Sequence, residues 1–95
     1  MTKTAVLAVS HTTRFKRDYK KAVKQGKNLD LLSFIIDSLR HQDPILAKFR
    51  DHALSNNWIN HRELHLSPDW LLVYMVDKKN NTLILVRLGS HSEIF

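Results

Sequence analysis

Between residues 11 and 41, apolar side chains recur at helical spacing on either side of Gly26. This spacing predicts a helix over residues 11–25, with Gly26 as its C-terminal stop. A second helix is predicted to begin at the N-cap Asn28 and to end near His41, because Pro44 disfavours helix at the residue before it. The apolar stripe expected to pack inward on the first helix consists of Phe15, Tyr19, Ala22 and Val23.

Apolar runs with strand character occupy most of the remaining chain. One run lies at the N-terminus, and three follow in the C-terminal half after an irregular segment at 43–60, in which Leu54 and Trp58 anchor an ordered loop. The predicted strands are 4–9, 61–66, 70–76 and 82–88. The element order βααβββ predicts an α+β fold, an antiparallel sheet with the helical hairpin packed on one face. The other face of the sheet is then free to hold a site.

Length and composition narrow the class of protein. Ninety-five residues make one domain, and the absence of cysteine excludes a disulfide framework and thiolate chemistry. No apolar run reaches the roughly 20 residues of a membrane-spanning helix, and no signal-like segment begins the chain. We therefore expect a soluble cytoplasmic protein that does not associate with membranes.

Positive charge is concentrated on the first predicted helix. The segment 14–27 holds seven basic residues against Asp18 alone, so it carries the whole net charge of +6. Such a stripe is typical of a surface that binds nucleic acid or an acidic protein, although a solvated helix face is the simpler alternative. The candidate RNA-binding residues are Arg14, Lys16, Arg17, Lys20, Lys21 and Lys24.

Alternation along the last strand predicts which side chains reach the free face. If Ile84, Val86 and Leu88 face the helices, Arg87 emerges on the opposite side of the sheet. The same rule places His65 with Arg87 on that open face. His91 follows just beyond the strand, where Gly89 lets the backbone turn.

These polar residues suit some chemistries better than others. His61 and His65 lie about 13 Å apart along a strand, too far to share a zinc ion, whereas a site built from His52, His65 and His91 remains open. A serine hydrolase is disfavoured because no serine lies in a Gly-x-Ser-x-Gly elbow. Cleavage of RNA without a metal fits better, since histidines transfer protons near neutral pH and arginine binds phosphate.

Simpler roles remain for single residues. Asp69 follows Pro68 and could only shape a turn, Arg87 could form an ion pair with Glu63 or Asp69, and Phe95 could fill an edge of the core rather than stack on a base.

Several segments of the C-terminal half resemble the YafQ group of bacterial toxins, within the RelE/ParE superfamily of type II toxin–antitoxin systems. The segments are Asp51-His52-Ala53-Leu54 with Trp58, Arg62-Glu63-Leu64-His65, Pro68-Asp69-Trp70-Leu71-Leu72-Val73-Tyr74 and Arg87-Leu88-Gly89-Ser90-His91-Ser92-Glu93-Ile94-Phe95. The resemblance implies a compact RelE-like fold and a ribosome-dependent endoribonuclease that cuts mRNA and stops translation. It also implies neutralisation by an acidic antitoxin similar to DinJ, a monomeric free toxin and no cofactor.

The resemblance further implies a set of functional residues. His91 would be the acid, Arg87 the phosphate ligand and Phe95 the ring that positions a base. The general base would be Asp69, or else His65 or His52. Two alternatives stay open: a toxin that inhibits gyrase without catalysis, and a domain that binds RNA or the ribosome without cutting.

Overall fold

In the computed structural model, which describes residues 5–95, the chain forms helices on one side of a five-stranded sheet and a short helix on the other. Their bounds are β1 Ala8–His11, α1 Thr13–Lys24, α2 Leu29–Arg40, β2 His52–Ala53, β3 Arg62–Ser67, β4 Trp70–Asp77, β5 Thr82–Gly89 and α3 His91–Ile94. Within residues 5–95, no helix combines the length and apolar character that a membrane crossing requires.

Local capping sets the ends of the helical hairpin. The Thr12 side chain accepts the amide hydrogen of Phe15 and caps α1, which starts two residues later than predicted because His11 belongs to β1. Gly26 at φ 69° ends α1, and the Lys27 amide donates to the Ala22 carbonyl, as in a Schellman motif. The predicted glycine stop, the Asn28 cap and the end of α2 at His41 are confirmed.

The sheet has the order β1-β5-β4-β3-β2 and is mixed rather than purely antiparallel. The predicted α+β class and helical hairpin are confirmed, but β1 pairs with β5 in parallel. Tight hairpins favour antiparallel pairing only between β3, β4 and β5, whereas β1 continues directly into α1 and joins no strand by a hairpin. The strand predicted at 4–9 is Ala8–His11, so it begins four residues later and ends two residues later than predicted, and Thr4 lies outside the described residues.

Apolar side chains cover both sides of β4. We call the side packed against α1 and α2 the helix face, and the opposite side the open face. Residues Trp70 to Tyr74 are at most 3% exposed, which confirms a central strand buried on both faces. The open face is not bare: Leu71 and Val73 pack there with Ile94, and Leu54 and Trp58 lie over them. The anchoring role predicted for Leu54 and Trp58 is therefore confirmed.

A β-bulge overturns the predicted alternation in β5. Leu88 faces the helices as predicted, but the other buried helix-face residues are Leu83 and Leu85 rather than Ile84 and Val86. Tyr74 pairs with Leu85 and Val73 pairs with Arg87, so Val86 is the extra residue that reverses the side-chain parity. Arg87 consequently stands opposite Val73 of the open-face cluster.

Candidate active site

Two histidines and a glutamate meet on the open face at the edge of the sheet. His52 of β2 pairs directly with Glu63 of β3, and His65 lies two residues further along the same face. Glu63 Oε1 lies 3.6 Å from His52 Nε2 and 3.3 Å from His65 Nε2. The two imidazole rings are 6.2 Å apart between centroids. Strand register alone therefore brings these three side chains together.

Glu63 is the buried member of this cluster and was not among the predicted site residues. It is only 7% exposed, whereas His52 is exposed and His65 half-buried. A buried carboxylate needs charged or hydrogen-bonding neighbours, and the two imidazoles supply them. Glu63 could have been recognised from the sequence, because it lies two residues before His65 and therefore on the same face of an alternating strand.

The backbone before His52 holds its ring in one tautomer. His52 Nδ1 lies 2.6 Å from the Arg50 carbonyl oxygen, which can only accept, so Nδ1 carries the hydrogen and Nε2 faces Glu63. Asp51 anchors this segment by accepting from the Tyr74 hydroxyl at 2.6 Å. Burial and the hydrogen bond to Asp51 raise the pKa of Tyr74 well above its ordinary value, so the phenol remains a donor.

His91 and Phe95 are presented by α3, a helix that the sequence reading missed. Ser90 caps it by accepting from the Glu93 amide, and the Glu93 carboxylate accepts in return from the Ser90 amide. The Ser90-x-x-Glu93 spacing was the signal that could have revealed this helix. A side chain at Gly89 would press on the Glu93 carboxylate, since an added Cβ would lie 3.1 Å from Oε1.

Polar contacts tie α3 to the rest of the molecule. Lys21 of α1 forms an ion pair with Glu93. Lys21 and the Ser90 amide lower the pKa of Glu93 to about 2. Asp69 Oδ1 accepts from the backbone amide of His91 at 3.3 Å, so Asp69 contacts the helix that carries His91.

A groove of about 440 Å³ is lined by His52 and Glu63 of the strands and by His91 and Phe95 at α3. Phe95 is 45% exposed, and its ring lies 5.3 Å from Trp58 and 5.1 Å from His91 between centroids. An exposed ring in this position lines the groove rather than filling the core. We call this the catalytic groove, and its main lining residues are His52, Glu63, Trp58, His91 and Phe95.

Arg87 does not line this groove, and it pairs with Asp18 rather than with Glu63 or Asp69. Its Nε lies 2.8 Å and its Nη2 3.3 Å from the Asp18 carboxylate, and both side chains are largely buried. Asp18 also accepts from the Leu88 amide at 2.9 Å, on a stretch of β5 that β1 does not reach. Asp18 was missed as a functional neighbour, although it is the one acid within the basic segment.

The basic stripe lies on α1, where all six predicted RNA-binding residues are exposed. Lys21 differs from the others because it is paired with Glu93. The inward packing predicted for the whole apolar stripe is wrong for Tyr19 and Val23, which are 39% and 50% exposed. Only Phe15 and Ala22 are buried, since α1 contacts the sheet mainly along β5.

A family model for YafQ, the bacterial toxin of type II toxin–antitoxin systems, matches residues 7–95. The chain belongs to the YafQ toxin family. The mRNA interferase toxin YafQ of Escherichia coli BL21-DE3 is 31% identical over 88 residues, which cover 92% of this chain and 94% of that protein. The predicted resemblance is thereby confirmed, and the predicted endoribonuclease class agrees with the activity in that relative's name.

Solved structures of YafQ-like toxins share this fold. A metal-bound toxin from Helicobacter pylori is 45% identical, with a TM-score of 0.89 over 94% of this chain and 99% of the other. YafQ in the Escherichia coli DinJ–YafQ complex is 27% identical, with a TM-score of 0.85 over 95% and 98%. Among residues 5–95 of the present chain, no three histidine, aspartate or glutamate side chains converge closely enough to hold a metal ion.

Proposed function

We propose that this protein is a ribosome-dependent mRNA endoribonuclease, the toxin of a type II toxin–antitoxin pair. The observation that carries the proposal is the catalytic groove, into which His52 and His91 project from separate elements beside an exposed aromatic ring. Two imidazoles that face one groove can remove and deliver protons at neutral pH. The family and the name of the E. coli relatives support the same activity.

The reaction uses the ribose of the substrate as nucleophile. A base removes the proton from a 2′-OH, whose oxygen attacks the adjacent phosphorus, while the bond from phosphorus to the 5′-oxygen breaks. An acid protonates that leaving oxygen, so the products carry a 2′,3′-cyclic phosphate and a 5′-OH. All proton transfers in this scheme are made by side chains, and none requires a metal ion.

His91 is the acid in this scheme, and His52 is the favoured base. In the neutral form of His52, the Nδ1 hydrogen points to the Arg50 carbonyl and leaves the lone pair of Nε2 available. The Glu63 carboxylate contacts both rings, and its contact with His52 Nε2 stabilises the imidazolium that forms once His52 has taken the proton. Asp69 remains an alternative base, but its Oδ1 already accepts from the His91 amide and thereby positions α3.

Arg87 and Phe95 act on the substrate without transferring protons. The Arg87 Nη1 group has no hydrogen-bond partner among residues 5–95, since Asp18 and the Glu93 carbonyl engage Nε and Nη2. Its free edge can stabilise negative charge on the phosphorane. Phe95 offers an exposed face for a base, a contact worth about 1–3 kcal/mol.

The proposed partners are the ribosome, mRNA and an acidic antitoxin similar to DinJ, all in the cytoplasm. The basic stripe on α1 provides a surface for ribosomal RNA, for the antitoxin or for both. Solved complexes of DinJ with YafQ support the antitoxin partner, because the YafQ subunit of one superposes on this chain with a TM-score of 0.85. We propose a monomeric free toxin that forms a hetero-oligomer with its antitoxin.

Mapping of mRNA 5′ ends after brief expression tests the activity. The wild-type protein should generate new 5′-OH ends within translated frames, and His91→Ala should lose about 10²–10⁴ of the cleavage rate. His41→Ala is the matched control, because among residues 5–95 the His41 ring has polar contacts only with Asp37 of its own helix. Cleavage in a purified translation system should persist in EDTA-treated toxin, provided ribosomal magnesium is restored.

Two outcomes would overturn the proposal. Intact mRNA together with DNA-damage signalling would indicate a gyrase inhibitor. Salt-dependent ribosome binding without strand scission would indicate an RNA-binding domain, since phosphate contacts alone release counterions but break no bond.

A further inference from the structure

A second groove of about 480 Å³ is lined by His65, which does not line the catalytic groove. Its wall is apolar and comes from α2, from β3 and from the 3-10 turn Ala47–Phe49. We call it the flanking groove, and apart from His65 its main lining residues are Leu31, Lys48, Phe49, Arg50, Leu66 and Pro68. Nothing in the proposed reaction uses it.

The charge on this groove is entirely positive. Lys48 and Arg50 are both exposed at its rim, and no acidic residue within 5–95 lines it. Neither cation forms an ion pair with any carboxylate of the described chain. Lys48 Nζ lies 5.2 Å from the centroid of the Phe49 ring, so the cation and the apolar wall are adjacent.

The flanking groove adjoins the catalytic groove: no residue lines both, but two lining residues of one contact lining residues of the other. His65 lines the flanking groove, and its Nε2 lies 3.3 Å from Glu63, which lines the catalytic groove. Arg50 lies at the rim of one groove while its carbonyl fixes His52 in the other. A strand of RNA that leaves the catalytic groove on the His65 side therefore passes over Lys48 and Arg50.

We propose that the flanking groove binds a nucleotide of single-stranded RNA next to the cleaved bond. Lys48 and Arg50 contact its phosphate, and the apolar wall with Phe49 and Pro68 receives its sugar and base. An extended polyanion with a flat apolar group at each repeat matches a groove that combines free cations with an apolar wall. This inference rests on the proposed function, because it assigns the neighbouring part of the same substrate.

Binding of an RNA that cannot be cleaved tests the inference. The probe is a fluorescent hexaribonucleotide with 2′-O-methyl groups throughout, measured by anisotropy across a series of NaCl concentrations. The double variant Lys48→Ala/Arg50→Ala should weaken binding at least about tenfold at low salt and reduce the salt slope by about 1–2. Lys78→Ala/Lys79→Ala is the matched control. It also removes two exposed positive charges, but from the β4–β5 turn, at the end of the hairpin opposite to Gly89 and α3.

Each outcome decides the matter. The inference is overturned if the two double variants bind the hexanucleotide equally, or if Lys48→Ala/Arg50→Ala loses binding to a polyglutamate peptide while its RNA binding is unchanged. The latter result would assign the groove to an acidic peptide. Because the probe has no 2′-OH, the binding measurement is independent of cleavage. Mapping of mRNA ends can therefore contradict the proposed function while RNA binding supports this inference, and RNA binding can fail while cleavage is observed.

Discussion

The imidazoles at and beside the catalytic groove are held in two different ways. His52 and His65 project from paired strands and share the buried carboxylate of Glu63. His91 projects from a helix of four residues whose position depends on an ion pair, a capping box and one contact to Asp69. One set is positioned by backbone register, and the other by polar contacts at the surface together with the burial of Ile94.

This difference predicts different sensitivities. Strand register is supported by continuous backbone hydrogen bonds and by the burial of Leu71 and Val73, so small changes at the surface leave it intact. Contacts to α3 are individually worth about 1 kcal/mol or less at an exposed surface. Substitutions near His52 and His65 should therefore change mainly the reactivity of these rings. Substitutions near His91 should change mainly the position of α3.

The largest effect is expected from Glu63→Gln. The amide keeps the volume of the carboxylate but not its charge, so the imidazolium of His52 loses the group that stabilises it. Cleavage should fall at least about 100-fold, with a shifted pH–rate profile and little change in melting temperature. The measurement is the rate of mRNA cleavage between pH 5 and 9, alongside thermal unfolding.

Glu93→Gln is the matched control for this substitution. It removes one carboxylate from the contacts that hold α3, and we expect less than about a tenfold loss of rate, since an exposed pair contributes about 1 kcal/mol. A larger loss at Glu93 than at Glu63 would reverse the comparison.

An intermediate effect is expected from Asp18→Ala. This change leaves the Arg87 guanidinium largely buried without its counterion and removes the acceptor of the Leu88 amide. The free energy of unfolding should fall by about 2–4 kcal/mol, measured by urea denaturation. Asp37→Ala, which removes an exposed carboxylate near Arg40 and His41, should cost no more than about 1 kcal/mol. Equal losses in both variants would show that the Asp18–Arg87 pair contributes no more than a surface contact.

The smallest effect is a pH dependence of the contacts to α3. The pKa of Glu93 is lowered from 4.5 to about 2, so its ion pair stabilises the folded protein fully above about pH 4.5. That contribution is lost as the pH falls towards 2. The difference in melting temperature between wild type and Glu93→Gln should therefore close over this window.

Lys21→Gln provides the control for that titration. Lys21 is the main cause of the lowered pKa of Glu93, so its removal should move the window to higher pH. A difference in melting temperature that persists unchanged to pH 2 would show that the carboxylate charge of Glu93 does not stabilise the fold.

Several parts of the site were accessible from the sequence because their signals are local. His65 alternates with Leu64, and the buried strand 70–76 was evident from its continuous apolar run. The helix α3 was not predicted, even though the four-residue capping box Ser90-x-x-Glu93 indicates a helix start. Glu63 was considered only as a possible ion-pair partner of Arg87, since its burial between two imidazoles depends on β2 pairing with β3.

The sequence by itself determined the helical hairpin, the three C-terminal strands and the residue types at the site, because caps, glycine stops and apolar periodicity act within a few residues. Only the tertiary structure decided that β1 pairs in parallel, that Val86 forms a bulge, and that Asp18 binds Arg87 from 69 positions away. Register and ion pairs of that span depend on how whole elements pack. The open face is therefore an outcome of the assembled sheet rather than of any one strand.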